Sequence, residues 1–219
     1  MKTIHLFLLL ALVASAFGQD NALAQNNRDK NISIGGSIGY VRAVLDDIKD
    51  YPFEGFGFGF GVSGFIPLTD VAKFGSDISI GYITASVKDE DGVELTISEF
   101  SLNLSPKIRF GQEKEYADIS LGMSIPLSNE VILKVPGYRT ETRKNTNTET
   151  DFQLSLAGRY NMIGLGIGKI LTGSDRATEL SASAFIPITE QSEIVPSIYY
   201  FTGDSGNELR LIIGFDYFL

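Results

Sequence analysis

The sequence predicts an all-β fold, an antiparallel up-and-down transmembrane β-barrel of ten strands, with eight as the alternative count. Three observations carry this. From residue 31 onward apolar and polar residues alternate with period two along most of the chain. The polar set is mainly Gly and Ser, whereas the apolar set is Phe, Ile, Leu and Tyr. Turn-forming clusters separate runs long enough to cross a bilayer at a tilt, for which roughly 9–11 residues suffice.

The chain starts with Met1-Lys2, followed by an apolar run from Ile4 to Val13 and then small residues. This is the pattern of a signal peptide over residues 1–18, with cleavage after residue 24 as the alternative. The apolar run is shorter than the roughly 18 residues of a membrane-spanning helix. Residues 19–30 form a polar N-terminal segment, and residues 31–219 form the barrel.

The barrel strands follow from the alternation. Ile32, Ile34, Ile38 and Tyr40 alternate with Ser33, Gly35, Ser37 and Gly39; Phe56, Phe58, Phe60 and Val62 alternate with glycines and Ser63. Phe74, Ile78, Ile80 and Tyr82 mark the third run. In Glu99–Phe110 every odd position is polar and every even one apolar, a separation that a strand makes and a helix would scatter. Ile119 to Ile125, Phe152 to Leu156, Leu165 with Ile167, Leu180 to Ile186, a weaker run at 194–202 and Leu209 to Leu219 complete the set. Residues 151–172 decide between ten strands and eight. Short turns near Pro67–Asp70, Gly111–Glu115, Tyr160-Asn161 and Glu190–Glu193 alternate with connections over 44–54, 88–94, 126–150, 172–176 and 203–207. Short periplasmic turns opposite longer outer loops are the habit of outer-membrane barrels.

Period two alone also describes a water-soluble, lipocalin-like barrel with its apolar face inward. Side-chain size separates the two. Small inward residues suit a narrow lumen and bulky apolar ones suit lipid, whereas soluble surfaces favour long polar groups. The expected location is therefore the outer membrane. Tyr40, Tyr51, Phe53, Tyr82, Tyr160, Tyr199, Tyr200 and Tyr217 fall near strand ends, where interfacial girdles form.

With 18 Lys and Arg against 27 Asp and Glu, the 219-residue chain has a net charge of −9, the wrong sign for a nucleic-acid partner. It contains no Cys and no Trp, and its single histidine is His5, inside the leader. Thiolate chemistry is excluded, and a barrel enzyme would lack the usual neutral-pH base. No cofactor or metal is called for. In this register Asp77, Glu99, Asn103, Lys107, Arg109, Asp118, Gln153, Arg159, Arg210 and Asp216 line the lumen as a polar filling network, with the acids paired to the cations. A turn at 111–115 sets Phe110 against Ala117 and Arg109 against Asp118. Arg139, Arg143 and Lys144, in the longest connection, are candidates for lipopolysaccharide phosphates or a partner. Asp46-Asp47 and Asp89-Glu90-Asp91 read as solvated loop acids, and Gly164 to Gly168 as strand glycines rather than a phosphate loop.

The stretch Phe100-Ser101-Leu102-Asn103-Leu104-Ser105-Pro106-Lys107-Ile108-Arg109-Phe110 resembles a strand of small outer-membrane β-barrel domain proteins, the PorT-like group among them. The ending Leu211 to Leu219 resembles the terminal strand that the barrel-assembly machinery recognises, although Leu219 stands where Phe is usual. The resemblance implies a barrel fold, an outer-membrane location and that machinery as a partner, but no single activity. Three functional classes remain at this point: a structural, adhesive or scaffold barrel with a side-chain-filled lumen, a narrow porin-like channel, or a soluble secreted lipid-binding barrel.

Overall fold

The computed structural model describes residues 32–46, 49–112, 114–145, 149–172 and 177–219. The proposed leader and polar N-terminal segment lie outside the described residues. The strands are β1 (Ile32–Leu45), β2 (Phe53–Pro67), β3 (Ala72–Lys88), β4 (Glu94–Gln112), β5 (Glu115–Lys134), β6 (Glu141–Asn145), β7 (Asp151–Tyr160), β8 (Ile163–Ile170), β9 (Thr178–Ala184), β10 (Ile186–Thr189), β11 (Ser192–Gly203) and β12 (Gly206–Phe218). Consecutive strands pair antiparallel except β6 with β7 and β9 with β10, and β1 pairs with β12, closing the ring. Two wall positions are shared: β6 and β7 both pair with β5, and β9 and β10 both pair with β11. Among the described residues the barrel therefore has ten wall positions, with β7 and β8 as separate strands over the region that decided the count.

A hydrogen-bonded row followed from Ser33 through Ser63, Asp77, Ser105, Gln153 and Ile170 returns to β1 at Leu45, twelve residues further along. With about 3.3 Å rise per residue and about 4.8 Å between strands, that stagger tilts ten strands by about 40°. All short turns of two to four residues lie at the end that also holds Ile32 and Phe218, except the 204–205 turn at the opposite end. By the outer-membrane rule the short-turn end is periplasmic.

Around the middle and periplasmic part of the wall, apolar side chains point outward. Phe58 is 54% and Ile213 58% exposed, while Ser101 is 2%. Leu104 is half-buried on the same outer face, and Gly59 lies on the inner one. The soluble, inward-greasy barrel is overturned by these faces. Phe58 and Tyr82, cross-strand partners, stack outside with ring centroids 5.5 Å apart.

Toward the loop end the polarity reverses. Arg42, Glu54, Ser86, Thr96 and Glu130 occupy the outer face. Val41, Ala43, Phe53, Ile83 and Ile97 turn inward and form a buried cluster with Phe201, flanked by Ala85, Val87 and Leu95. Phe53 and Tyr199 are therefore luminal rather than girdle residues.

The stretch 126–150, read above as one connection, is partly sheet. β5 continues to Lys134, and Glu141–Asn145 folds back on it. The alternation is hard to read there because Leu127 is an extra residue: Ser101 pairs with Pro126 and Phe100 with Ser128. One bulged residue exchanges the faces of everything beyond it. The 203–207 connection is likewise only a two-residue turn, with Gly206 at φ +149°, where a Cβ would lie 2.1 Å from the Val44 carbonyl oxygen.

Candidate functional site: the filled lumen

The luminal polar residues form two layers. The periplasmic layer is the more completely paired. Lys107 Nζ donates to Asp77 Oδ2 at 2.6 Å, and Ser63 Oγ donates to Asp77 Oδ1 at 2.6 Å. Arg109, on β4, sits directly opposite Asp118, on β5, because the turn between them sets that register. Its Nε and Nη2 donate to the two carboxylate oxygens at 2.8 and 2.7 Å. The same guanidinium lies 3.6 Å from the Tyr116 ring centroid and 4.3 Å from that of Phe65. Arg159 reaches across the lumen to Glu193 with bonds of 3.1 and 3.2 Å, rests 3.8 Å from the Phe185 ring centroid, and donates from Nε to the Asn161 carbonyl. Asp216, paired with Glu193 between β12 and β11, belongs to this layer and leaves Oδ2 without a bond. Bidentate, ring-sandwiched guanidinium groups are a favourable way to hold charge away from water, since fork geometry and a π face replace hydration on several sides.

The second layer lies between this one and the apolar cluster. Arg210 bonds Glu208 and stacks 4.3 Å from the Phe201 ring centroid. Gln153 Nε2 donates to Glu179 Oε2 at 2.8 Å. Glu99, Asn103, Asp151 and Ser124 also point inward, each with an oxygen that finds no hydrogen-bond partner.

All ten residues expected to line the lumen are buried. The structure joins Asp77 with Lys107 and Arg109 with Asp118. Arg159 bonds Glu193 and Arg210 bonds Glu208, two acids not among those named from sequence. Glu208 shares the parity of Arg210 and Asp216, a signal that identifies it as luminal. Glu193 sits at a turn boundary, where parity gave no such signal. Glycines of β8 make room for this filling: a Cβ at Gly168 would meet Gln153 Nε2 at 2.3 Å, and one at Gly164 would meet Phe185 at 2.8 Å.

Among the described residues one cavity of the wall and lumen can be measured. It has a volume of about 30 Å³ and is lined by the inward Ser105, Ser120, Ser155, Ser181, Glu179 and Tyr199, with Leu156 and Ile167 of the outer face at its edge. Such a volume holds about two waters. Outside the lumen, Arg139, Arg143 and Lys144 are all exposed at the loop end, Arg143 beside Glu141 at 3.7 Å. Asp46 pairs with Lys49, while Asp89 Oδ1 accepts the Val93 amide; Asp47 lies outside the described residues. Among the described residues no group of three His, Cys, Asp or Glu is arranged to hold a metal.

An apolar outer belt, a closed ten-position antiparallel ring and a polar interior define an integral outer-membrane β-barrel. Solved structures share the architecture. The transport unit of the autotransporter AIDA-I from Escherichia coli is similar over 96% of this chain and 97% of its own, with a TM-score of 0.59 at 10% identity. The β domain of the Bordetella autotransporter BrkA matches over 86% and 100%, TM-score 0.51 at 12% identity. An outer membrane channel from Pseudomonas putida F1 matches over 89% and 97%, TM-score 0.50 at 9% identity. No protein-family model and no curated protein matches the chain.

Proposed function

We infer that the protein is a non-catalytic, non-conducting outer-membrane barrel whose rigid wall presents its loop-end ribbon at the cell surface, in a structural, adhesive or scaffold role. The observation that carries this is the filling of the lumen. Arg109, Arg210, Lys107, Tyr199, Phe53, Phe185 and Phe201 are all fully buried inside it. Barrels near this size leave an interior just wide enough for side chains, and open porins use about 16 strands. Small-domain outer-membrane barrels, the PorT-like group included, are the family that Phe100–Phe110 and Leu211–Leu219 resemble, which supports the barrel and its location but no one role.

The surface element is the ribbon of β5 beyond Ser128 with β6, which carries Arg143 and Lys144, and Arg139 in its turn. Cations on an exposed ribbon suit lipopolysaccharide phosphates or an anionic partner surface. Strand β12, pairing along its length with both β1 and β11, is the element offered to the barrel-assembly machinery.

Planar-bilayer recording of the refolded full chain tests the reading. A silent membrane is expected with the wild-type protein. Steady single-channel steps would replace it with the narrow-channel reading. Binding to lipopolysaccharide micelles is expected to weaken in the Arg139→Ala/Arg143→Ala/Lys144→Ala triple variant and to be unaffected by Lys49→Ala, at another loop.

A further inference from the structure

The two polar layers differ in charge balance. The periplasmic one sets Lys107, Arg109 and Arg159 against Asp77, Asp118, Glu193 and Asp216. The other sets Arg210 alone against Glu99, Asp151, Glu179 and Glu208, counted among the described buried residues. Arg210 bonds Glu208, and Glu179 accepts only from the neutral Gln153 amide, so Glu99, Asp151 and Glu179 carry the surplus. Uncompensated carboxylates away from water are costly, and the cost is relieved by a partner cation.

The oxygens around that surplus are arranged as donors to a hard ion. Asn103, Ser124 and Asp151 are consecutive members of one cross-strand row over β4, β5 and β7, all facing inward. Side chains so paired stand with Cβ atoms about 4.5–5.5 Å apart. Asn103 Oδ1, Ser124 Oγ and Asp151 Oδ2 each lack a hydrogen-bond partner, and all three residues are more than nine-tenths buried. The other Asp151 oxygen accepts from Thr172 Oγ1 at 3.2 Å, and the Asn103 amide nitrogen donates to Ser101, so both free oxygens are held in place. Glu99, two inward positions along β4 toward the loop end, has a free Oε1 and lies within electrostatic reach of Asp151. Carboxylate, amide and hydroxyl oxygens together make a donor set for calcium rather than a transition metal, and calcium accepts the irregular geometry that a rigid sheet imposes better than magnesium does.

We propose that Asn103, Ser124 and Asp151, with the Glu99 carboxylate further along β4, form a luminal calcium site that offsets two of the three surplus charges in the outer polar layer beneath the apolar cluster. The site does not depend on whether the barrel conducts, since it is read from orphaned oxygens on one wall. It gives the outer layer what Lys107, Arg109 and Arg159 give the inner one, a positive charge in contact with carboxylates.

The test uses the full chain refolded in detergent and stripped with a chelator, titrated with CaCl2 by calorimetry and unfolded in urea with and without the ion. A saturable one-site isotherm and a higher urea midpoint in calcium are expected. Asp151→Asn is expected to weaken binding at least tenfold, Asn103→Ala by less, and Asp89→Asn, at an outer loop, not at all. Heat-dependent gel mobility confirms that each variant is folded. The proposal is overturned if no saturable heat appears, or if Asp151→Asn binds as tightly as wild type, which would assign the ion to surface acids. It is equally overturned if Asp151→Asn raises the midpoint in chelator while calcium leaves the wild type unmoved, for then a proton neutralises the layer.

Discussion

The belt half of the barrel and its loop-end half use the same strands, the same pleat and the same alternation, with opposite sign. In the belt Phe56, Phe58 and Phe60 face out, and Gly57, Gly61 and Ser63 face in. A few residues further on, Arg42 and Glu54 face out and Val41 and Phe53 face in. The pleat only divides residues between two faces; the medium outside decides which face is apolar. Where lipid surrounds the wall, the interior takes the charges and must pair them. Where water surrounds it, the interior becomes a hydrophobic core like that of a soluble barrel. Strands of 15 to 20 residues in β2–β5 exceed the roughly 9–11 that a bilayer needs and make room for both regimes. The result is a plug in two parts, ion pairs and aromatic rings below, packed aliphatic and aromatic groups above.

The strongest challenge to this contrast is to remove one member of a lower ion pair. Arg109→Ile leaves Asp118 buried without its partner and is expected to cost about 3–5 kcal/mol in urea unfolding, while the variant still inserts and keeps its heat-modifiable band. The double variant Arg109→Leu/Asp118→Leu is expected to recover much of that loss, because the penalty lies in the widowed charge. An unchanged midpoint in the single variant would mean that the lower layer does not depend on pairing.

The boundary itself is located by placing one charge on either side of it. Phe58→Arg, in the belt, is expected to destabilise by about 2–4 kcal/mol in lipid vesicles, and Ser86→Arg, on the outer face beyond the belt, by no more than about 1 kcal/mol. Equal costs would erase the distinction between the halves.

Within the upper core the expected effect is smaller. Ile97→Val removes one buried methylene and should lower the unfolding free energy by about 0.5–1.5 kcal/mol without opening a conductance. At the surface of the same half, Arg42 and Glu54 are each about half exposed and 3.3 Å apart. Arg42→Ala is expected to change stability by less than about 1 kcal/mol, and that difference should vanish in high salt.

Much of this architecture can be read directly from the chain. Alternation over Glu99–Phe110 assigns both faces of β4, and the spacing between Arg109 and Asp118 across a tight turn sets their pairing before any coordinates are known. Gly and Ser against Phe and Ile separates a membrane wall from a soluble one by side-chain size. The unreadable parts have physical causes. Leu127 exchanges the faces of β5, so the outer ribbon looks irregular in one dimension. Phe53 and Tyr199 resemble girdle aromatics because distance along the strand says nothing of inward or outward once the medium changes.

Local sequence thus determined the belt, the inward polar set and the neighbouring pairs, since each depends on a period of two and on short turns, while the choice of ten strands over eight waited for the pairing of β7 with β8. Closure of the ring decided the rest. Arg159 meets Glu193 and Arg210 lies near Glu99 only because strands remote in sequence face one another across a tilted, staggered cylinder. The free oxygens of Asn103, Ser124 and Asp151 come together by adjacent-strand pairing of β4, β5 and β7, which the extra residue at Leu127 and the intervening β6 hide in the sequence. Charge balance across a lumen is a property of that cylinder, and the chain acquires it only when β12 meets β1.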